Sequence, residues 1–278
     1  VFGSRRRIEV KRPDQLRAMR RAGLVVARAL SAVAAELRPG ITTAELDAVA
    51  AQVIASAGAQ PSFLDYGAVD GHGGFAGVTC LSVNSEVVHG VPGDRVLAEG
   101  DLISVDCGAI VDGWHGDAAR TLPVGSITPE AAELSRVTRE AMWAGIAAVR
   151  SGRQIGDVSA AVEALVAGRY GIVEEYVGHG IGSAMHQAPD VPNLGRAGRG
   201  PRITVGMALA IEPMLTAGSP ANTLLDDGWT VVTDDGSLAA HWEHTVAVTE
   251  HGLWVLTAED GGEQRLAELG APFGPLAD

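Results

Sequence analysis

Four carboxylates and one imidazole in this sequence stand where they could hold metal ions. Asp106, in Asp106-Cys107-Gly108, is followed eleven residues later by Asp117, in Gly116-Asp117-Ala118-Ala119-Arg120-Thr121. Further along, Glu212 precedes Pro213, and Glu243 lies within His241-Trp242-Glu243-His244-Thr245-Val246-Ala247-Val248. His179 stands among glycines in Gly178-His179-Gly180-Ile181-Gly182, where the lack of neighbouring bulk lets a metal or substrate come close. Taken singly, each acid has an ordinary explanation: a turn-former before glycine, a surface residue, a cap before proline, a paired charge on a strand. Taken together, acids at matched places in two similar halves need four independent explanations. Brought together in a sheet interior and left unpaired, such charges cost several kcal/mol or more each. Two divalent cations would cancel the ligand charge. Mixed oxygen and nitrogen donors suit Mn, Fe, Co or Zn, whereas a closed structural zinc site wants cysteines, and Cys80 and Cys107 are too few.

The elements that must position these groups occur twice. Gly100-Asp101-Leu102-Ile103-Ser104-Val105-Asp106 parallels Gly206-Met207-Ala208-Leu209-Ala210-Ile211-Glu212, each reading as a strand that ends in an acid six residues after its glycine. Side chains alternate along a strand, so Ser104 and Asp106 share one face, as do Ala208, Ala210 and Glu212. Ile103, Val105, Leu209 and Ile211 point the other way, to pack beneath helices. The spacing of Leu16, Met19, Gly23, Val26, Leu30, Val33 and Leu37 predicts a helix over 13–37 that starts with Pro13 in its first turn. Thr42-x-x-Glu45 reads as a capping box opening a second helix, with Leu46, Val49, Val53 and Ile54 inward. From Phe63 to Val124, short β-rich runs separated by glycines follow. The order then repeats: Thr128-Pro129-Glu130 opens a helix that ends near Gly152, a second carries Val158, Val162 and Leu165, and β-rich sequence runs from Tyr176 to Leu256. Helix, helix, sheet, twice over, predicts an internally duplicated α/β domain whose pseudo-twofold brings the acids to one central site.

Other chemistries find little support. Gly178-x-Gly180-x-Gly182 has its third glycine misplaced for a dinucleotide loop. There is no G-x-S-x-G elbow, and His241-x-Glu243-His244 is not the helical H-E-x-x-H of zinc proteases. The 278 residues, 46% of them hydrophobic, suffice for a large core. No apolar run approaches the ~20 residues of a bilayer span. Residues 1–11 lack the apolar stretch of a secretory signal, which predicts a cytosolic chain with both cysteines as free thiols. A formal charge of -13 disfavours binding to DNA or to nucleic acid in general. Basic residues nevertheless crowd the first tenth of the chain, among them Arg5, Arg6, Arg7, Arg12, Arg17 and Arg20. This arm reads either as a solvated helix face with a loose tail or as a segment that touches ribosomal RNA transiently.

In these residues the sequence resembles the type I methionine aminopeptidases of the short class, over nearly its whole length. The set Asp106, Asp117, His179, Glu212, Glu243 matches that family in order and approximate spacing, as do Asn84 through His89-Gly90-Val91-Pro92, His186, and Asp227-Gly228-Trp229-Thr230. The resemblance implies the α/β (α+β) pita-bread fold, two pseudo-symmetric halves around a central curved antiparallel sheet. It places a single catalytic domain over residues 13–257, halved at about 125, between the basic arm (1–12) and a C-terminal tail (258–278). It implies removal of the initiator methionine from nascent polypeptides by metal-activated water. In that scheme Asp117 and Glu243 bridge two divalent ions, Asp106 holds one, and His179 with Glu212 holds the other. Glu212 also moves a proton, while His89 and His186, each opening an H-x-x-P turn, contact the peptide and stabilise the oxyanion.

The methionine pocket implied by the resemblance comprises Phe63, Tyr66, Phe75, Cys80, Met185 and Trp229, apolar and aromatic as a thioether requires. Two departures stand out: the stretch Gly67 to Gly77 is longer and richer in glycine than is usual, and Met185 replaces a more usual aromatic. The five ligands are shared with proline-directed peptidases of the same fold, prolidase and aminopeptidase P, which generally carry an additional N-terminal domain. A third reading is a pita-bread module that only binds peptides or ribosomes, but such relatives usually lose ligands.

Overall fold

The computed structural model describes residues 7–69 and 73–277. Two helices open the chain, α1 (Pro13–Glu36) and α2 (Thr43–Ser56). The capping box of α2 forms: Glu45 N–H donates to Thr42 Oγ1, and Thr42 N–H donates to Glu45 Oε2 at 2.8 Å. Five strands follow, β1 (Gln60–Pro61), β2 (Thr79–Val83), β3 (Glu86–Val88), β4 (Leu102–Val111) and β5 (Trp114–Pro123). The pattern then repeats with α3 (Pro129–Ala148) and α4 (Ile155–Val166). The second half supplies β6 (Gly171–Ile172), β7 (Gly178–Gly180), β8 (Gln187–Val191), β9 (Ala208–Ile211), β10 (Met214–Thr216), β11 (Asn222–Leu224), β12 (Val231–Thr233), β13 (Ala239–His241), β14 (His244–Val248) and β15 (Leu253–Val255), and α5 (Glu263–Glu268) follows.

Two long antiparallel ribbons carry the acids. In the first half β4 pairs with β5 across the two-residue turn Asp112-Gly113, where φ is 51° and 78°, as a primed hairpin turn requires. Asp106 therefore lies in the middle of its strand, not at its end as its sequence spacing suggests, because the ladder continues to Val111. In the second half β9 pairs with β14 and β10 pairs with β13. The alternation read as one strand from His241 to Val248 is broken at Trp242-Glu243, opposite the break that Glu212-Pro213 puts between β9 and β10. The ribbons join edge to edge: Glu243 N–H donates to the Ala119 carbonyl at 3.0 Å, and Thr245 Oγ1 donates to the Asp117 carbonyl at 2.8 Å.

The outward faces of the ribbons bury against the helices as alternation predicts. Ile103 and Val105 pack with Val26, Leu30 and Val33 of α1 and Leu46 of α2 in one core. Leu209 and Ile211 pack with Met142 and Ile146 of α3 and Val158 of α4 in another. Each such side chain contributes about 1.5–3 kcal/mol on leaving water, so the helices seat against the outer faces of the ribbons and leave the acids facing inward.

The described residues near both ends of the chain are packed. Lys11 is 5% exposed, its N–H donating to the Gly206 carbonyl, and Ser183 donates to Glu9. Arg20 donates to the carbonyls of Leu256 and Glu259, each at 2.8 Å, and Arg17 to that of Ala277. The C-terminal segment read as a tail packs through Leu266 and Ala271, and Phe273 bridges to Leu253. The described part of the arm is thus a strap rather than a loose tail, and much of the basic face of α1 is engaged within the fold; Arg5 and Arg6 lie outside the described residues.

Where α1 crosses β5, Gly116 faces Gly23: a Cβ on Gly116 would stand 2.6 Å from the Gly23 nitrogen, a backbone contact that no rotamer relieves. Gly116→Val is expected to lower stability by about 1–3 kcal/mol through overpacking. Urea unfolding checks this, and an unchanged midpoint would show that the helix is not seated there.

Candidate metal centre and substrate cleft

All the acids, histidines and pocket residues singled out from the sequence line one cleft of about 1120 Å³ between the halves. Asp106 and Asp117 meet because of the hairpin register. Asp117 lies opposite Gly108 and Ala119 opposite Asp106, so the two acids are diagonal neighbours on one face of the ribbon. Glu212 and Glu243 come from the strand breaks of the second ribbon, and the backbone bonds between Ala119 and Glu243 hold the two pairs together. His179 enters from β7, between glycines whose Cβ atoms would strike the Ala210 carbonyl at Gly178 and the Ala188 carbonyl at Gly180. Its Nδ1 bonds the Gly180 carbonyl at 3.0 Å, which turns Nε2 toward Glu212 Oε1 at 3.3 Å.

Electrostatics in this cluster is governed by burial and crowding. Asp117 and Glu243 are only 3% and 2% exposed. Burial, reinforced by neighbouring acids, pushes both carboxyls well above the ordinary carboxylate range, and burial raises Asp106 to about 7. Glu212 moves the other way: burial alone would raise it, yet the adjacent His179 and His241 imidazoles bring it down to about 2. Burial would lower His179, but Glu212 raises it overall.

Asp106 Oδ1, Asp117 Oδ1, Glu243 Oε1 and His241 Nε2 are buried without a hydrogen-bond partner. One donor atom each from Asp117, His179 and Glu243 lie within 4.8 Å of one another, as do those from Glu212, His241 and Glu243. Three orphaned carboxylate oxygens beside imidazole nitrogens suit divalent cations of intermediate hardness. The donor set fits metal binding. His241 is the member that motif reading missed. Its signal was its place two residues before Glu243, at the end of β13.

The two other histidines flank the acids. His89 follows β3 with φ 59°, in the left-handed region that bulky side chains seldom occupy, and its ring stacks edge-on with Tyr176 at 5.4 Å. His186 lies with its ring centroid 4.4 Å from that of His179, and Tyr66 Oη bonds its Nδ1 at 2.6 Å. Burial brings both His89 and His186 down to about 4, so both are neutral at pH 7.

Phe63, Phe75, Cys80 and Met185 form a buried apolar cluster against which Val91 and Trp229 pack. Cys80 on β2 pairs directly with Asp106, so this pocket abuts the acids. The loop before it closes on itself: Asp65 N–H donates to the Phe75 carbonyl at 2.9 Å, and Phe75 N–H to that of Tyr66 at 3.0 Å. This closure brings Phe75 to the pocket despite the glycine-rich stretch, of which residues 70–72 lie outside the described residues. Trp229 is set by Asp227, whose Oδ1 accepts from the backbone N–H groups of Trp229 and Thr230, each at 2.8 Å.

Residues 17–250 match the family described as metallopeptidase family M24. The chain is 50% identical over 261 residues to methionine aminopeptidase 1 of Mycobacterium tuberculosis, covering 91% of this chain and 96% of that protein. The crystal structure of methionine aminopeptidase from Thermotoga maritima superposes with a TM-score of 0.87 at 40% identity, over 91% of this chain and all of that one. A prolidase from Pyrococcus furiosus shares the pita-bread fold, at TM-score 0.71 and 22% identity over 90% of this chain. The chain belongs to metallopeptidase family M24, and within it to the methionine aminopeptidases.

Proposed function

We propose that the protein removes the N-terminal methionine from nascent polypeptides and peptides, using two divalent ions drawn from Mn, Fe, Co and Zn, within a catalytic unit spanning residues 13–257. The observation that carries this reading is the apolar pocket of Phe63, Phe75, Cys80, Met185 and Trp229 opening directly onto the buried acids and imidazoles. Asp106, Asp117, His179, Glu212 and Glu243 would hold the ions. When bound, the ions would supply Lewis acidity, lowering the pKa of a water molecule toward neutrality and polarising the scissile carbonyl.

The chain's own residues do the rest. Glu212, ionised by its two imidazole partners, accepts and returns a proton. The Tyr66 hydroxyl, donating to His186 Nδ1, leaves the ring's other nitrogen as the N–H that meets the peptide oxygen. Neutral His89 and His186 stabilise developing negative charge as hydrogen-bond donors rather than as cations. The pocket takes the methionine side chain by burial and sulfur–aromatic contact, with Phe75 and Trp229 at 5.4 Å edge to face and Tyr66 at the mouth. The substrate's free α-amine would lie against the centre, which would restrict the reaction to chain termini. Transient ribosome contact through the basic N-terminal arm belongs to the same proposal.

A panel of Met-Ala, Ala-Pro and Met-Pro peptides tests the reading. Release of methionine from Met-Ala with Ala-Pro untouched is expected, and preferential cleavage of Ala-Pro would favour a proline-directed peptidase instead. Trp229→Ala is expected to lower kcat/KM for Met-Ala-Ser by roughly 10- to 100-fold, mostly through KM; unchanged kinetics would reject this pocket.

The acid cluster also predicts a pH effect. A carboxylate whose pKa is raised in the folded state stabilises the fold at low pH and loses that contribution as pH rises through the folded value. Asp106, raised to about 7, and Asp117 and Glu243, also raised, act in this sense. His89, His115 and His186, each lowered to about 4, act oppositely, but their gain is complete above the ordinary histidine value of 6.5. Between pH 6.5 and 8, across the Asp106 value, the Tm of chelator-treated protein should therefore fall, by roughly 2–4 °C for each kcal/mol lost, and saturating Mn²⁺ should abolish the slope. A Tm that is flat or rises without metal would contradict the shifts.

A further inference from the structure

Glu212 lies between two imidazoles. Its Oε1 faces His179 Nε2 at 3.3 Å, and its Oε2 faces His241 Nε2 at 3.5 Å. Once His179 and Oε1 are committed to an ion, Oε2 remains a buried carboxylate oxygen that needs a donor. His241 is the side chain within reach: it is 2% exposed, and its Nε2 lacks any closer partner. Its placement is fixed from both sides of the backbone. Thr121 Oγ1 accepts from the His241 N–H at 2.9 Å and donates to the His241 carbonyl at 2.7 Å, and Ser104 Oγ lies 3.2 Å from the same N–H. Glu212 is pinned in turn by Asn193 Nδ2, which donates to its carbonyl at 3.2 Å. Ser104 and Thr121 belong to the first ribbon and His241 to the second, so this network ties the orientation of Glu212 to the joint between the halves.

We propose that His241 is a positioning residue for the metal centre: it donates Nε2–H to Glu212 Oε2 and so presents Oε1 to the ion, without ligating the ion itself. The alternative it excludes is a second imidazole ligand, which the closeness of Glu212, His241 and Glu243 would permit geometrically. The charge balance favours positioning. Four carboxylates already neutralise two dications, and what Glu212 lacks is a hydrogen-bond donor rather than the ion a further ligand. The inference rests on the reading that this cluster holds divalent ions.

Calorimetric titration of metal-free protein with Mn²⁺ separates the two readings. His241→Leu, which removes the donor at similar volume, should weaken binding of the tighter ion about 10- to 100-fold. His241→Gln, which restores a side-chain N–H, should return to within about threefold of the parent. Equal affinity in His241→Leu and parent, or no rescue by His241→Gln, would overturn the inference. Absence of Mn²⁺ binding by the parent would instead sink the metal reading beneath it. A second measurement is spectroscopic. The proton NMR spectrum of the Co²⁺-loaded protein should show one strongly shifted exchangeable imidazole N–H, that of His179 held on the Gly180 carbonyl. A second such resonance that disappears in His241→Leu would make His241 a ligand and end the proposal.

Discussion

Mutual repulsion among Asp106, Asp117, Glu212 and Glu243 is the constraint around which this molecule is arranged. Burial raises three of these acids, and only Glu212, flanked by two imidazoles, is held firmly ionised. A fold that crowds acids in this way spends stability at its centre, and the surrounding structure supplies it. Two ribbons are clamped by four helices and joined by backbone hydrogen bonds at Ala119 and Glu243. Divalent cations would resolve the conflict, since they would turn four repelling groups into ligands.

The internal duplication is the economical way to reach this arrangement. Each half contributes one ribbon, and each ribbon delivers two acids by a different local device. In the first, an unbroken hairpin makes residues eleven apart into diagonal neighbours. In the second, Glu212 and Glu243 stand at paired strand breaks. The apolar pocket proposed for the methionine is built largely on the first half, from the loop at Phe63 and from β2, and is closed by Met185 and Trp229 from the second. Both the pocket and the network running from Ser104 and Thr121 through His241 to Glu212 thereby cross the seam between the halves.

Much of this was legible in the residues themselves. The capping box at Thr42, the two helix pairs, and the alternation that turns Ile103 and Val105 outward while Ser104 and Asp106 face inward all rest on local periodicity and hold in the fold. The convergence of the acids followed from the repeat. Less legible were features set by tertiary register. The Asp112-Gly113 turn carries a hairpin signal that would have put Asp106 in mid-strand, and the break at Trp242-Glu243 arises where the chain passes from one partner strand to another. His241 escaped because the motifs it was compared with are helical, whereas its role depends on a strand. The packing of the N-terminal strap through Lys11, and of the C-terminal segment through Leu266, depends on contacts far apart in sequence that charge counting does not reveal.

The most direct test is a titration of rigorously metal-free protein with Mn²⁺ under anaerobic conditions, following methionine released from Met-Ala-Ser against metal bound. No release before metal is added, and activity that rises in step with occupancy of the acid cluster, is the predicted result. Methionine released at full rate with no metal bound would contradict the account at its root.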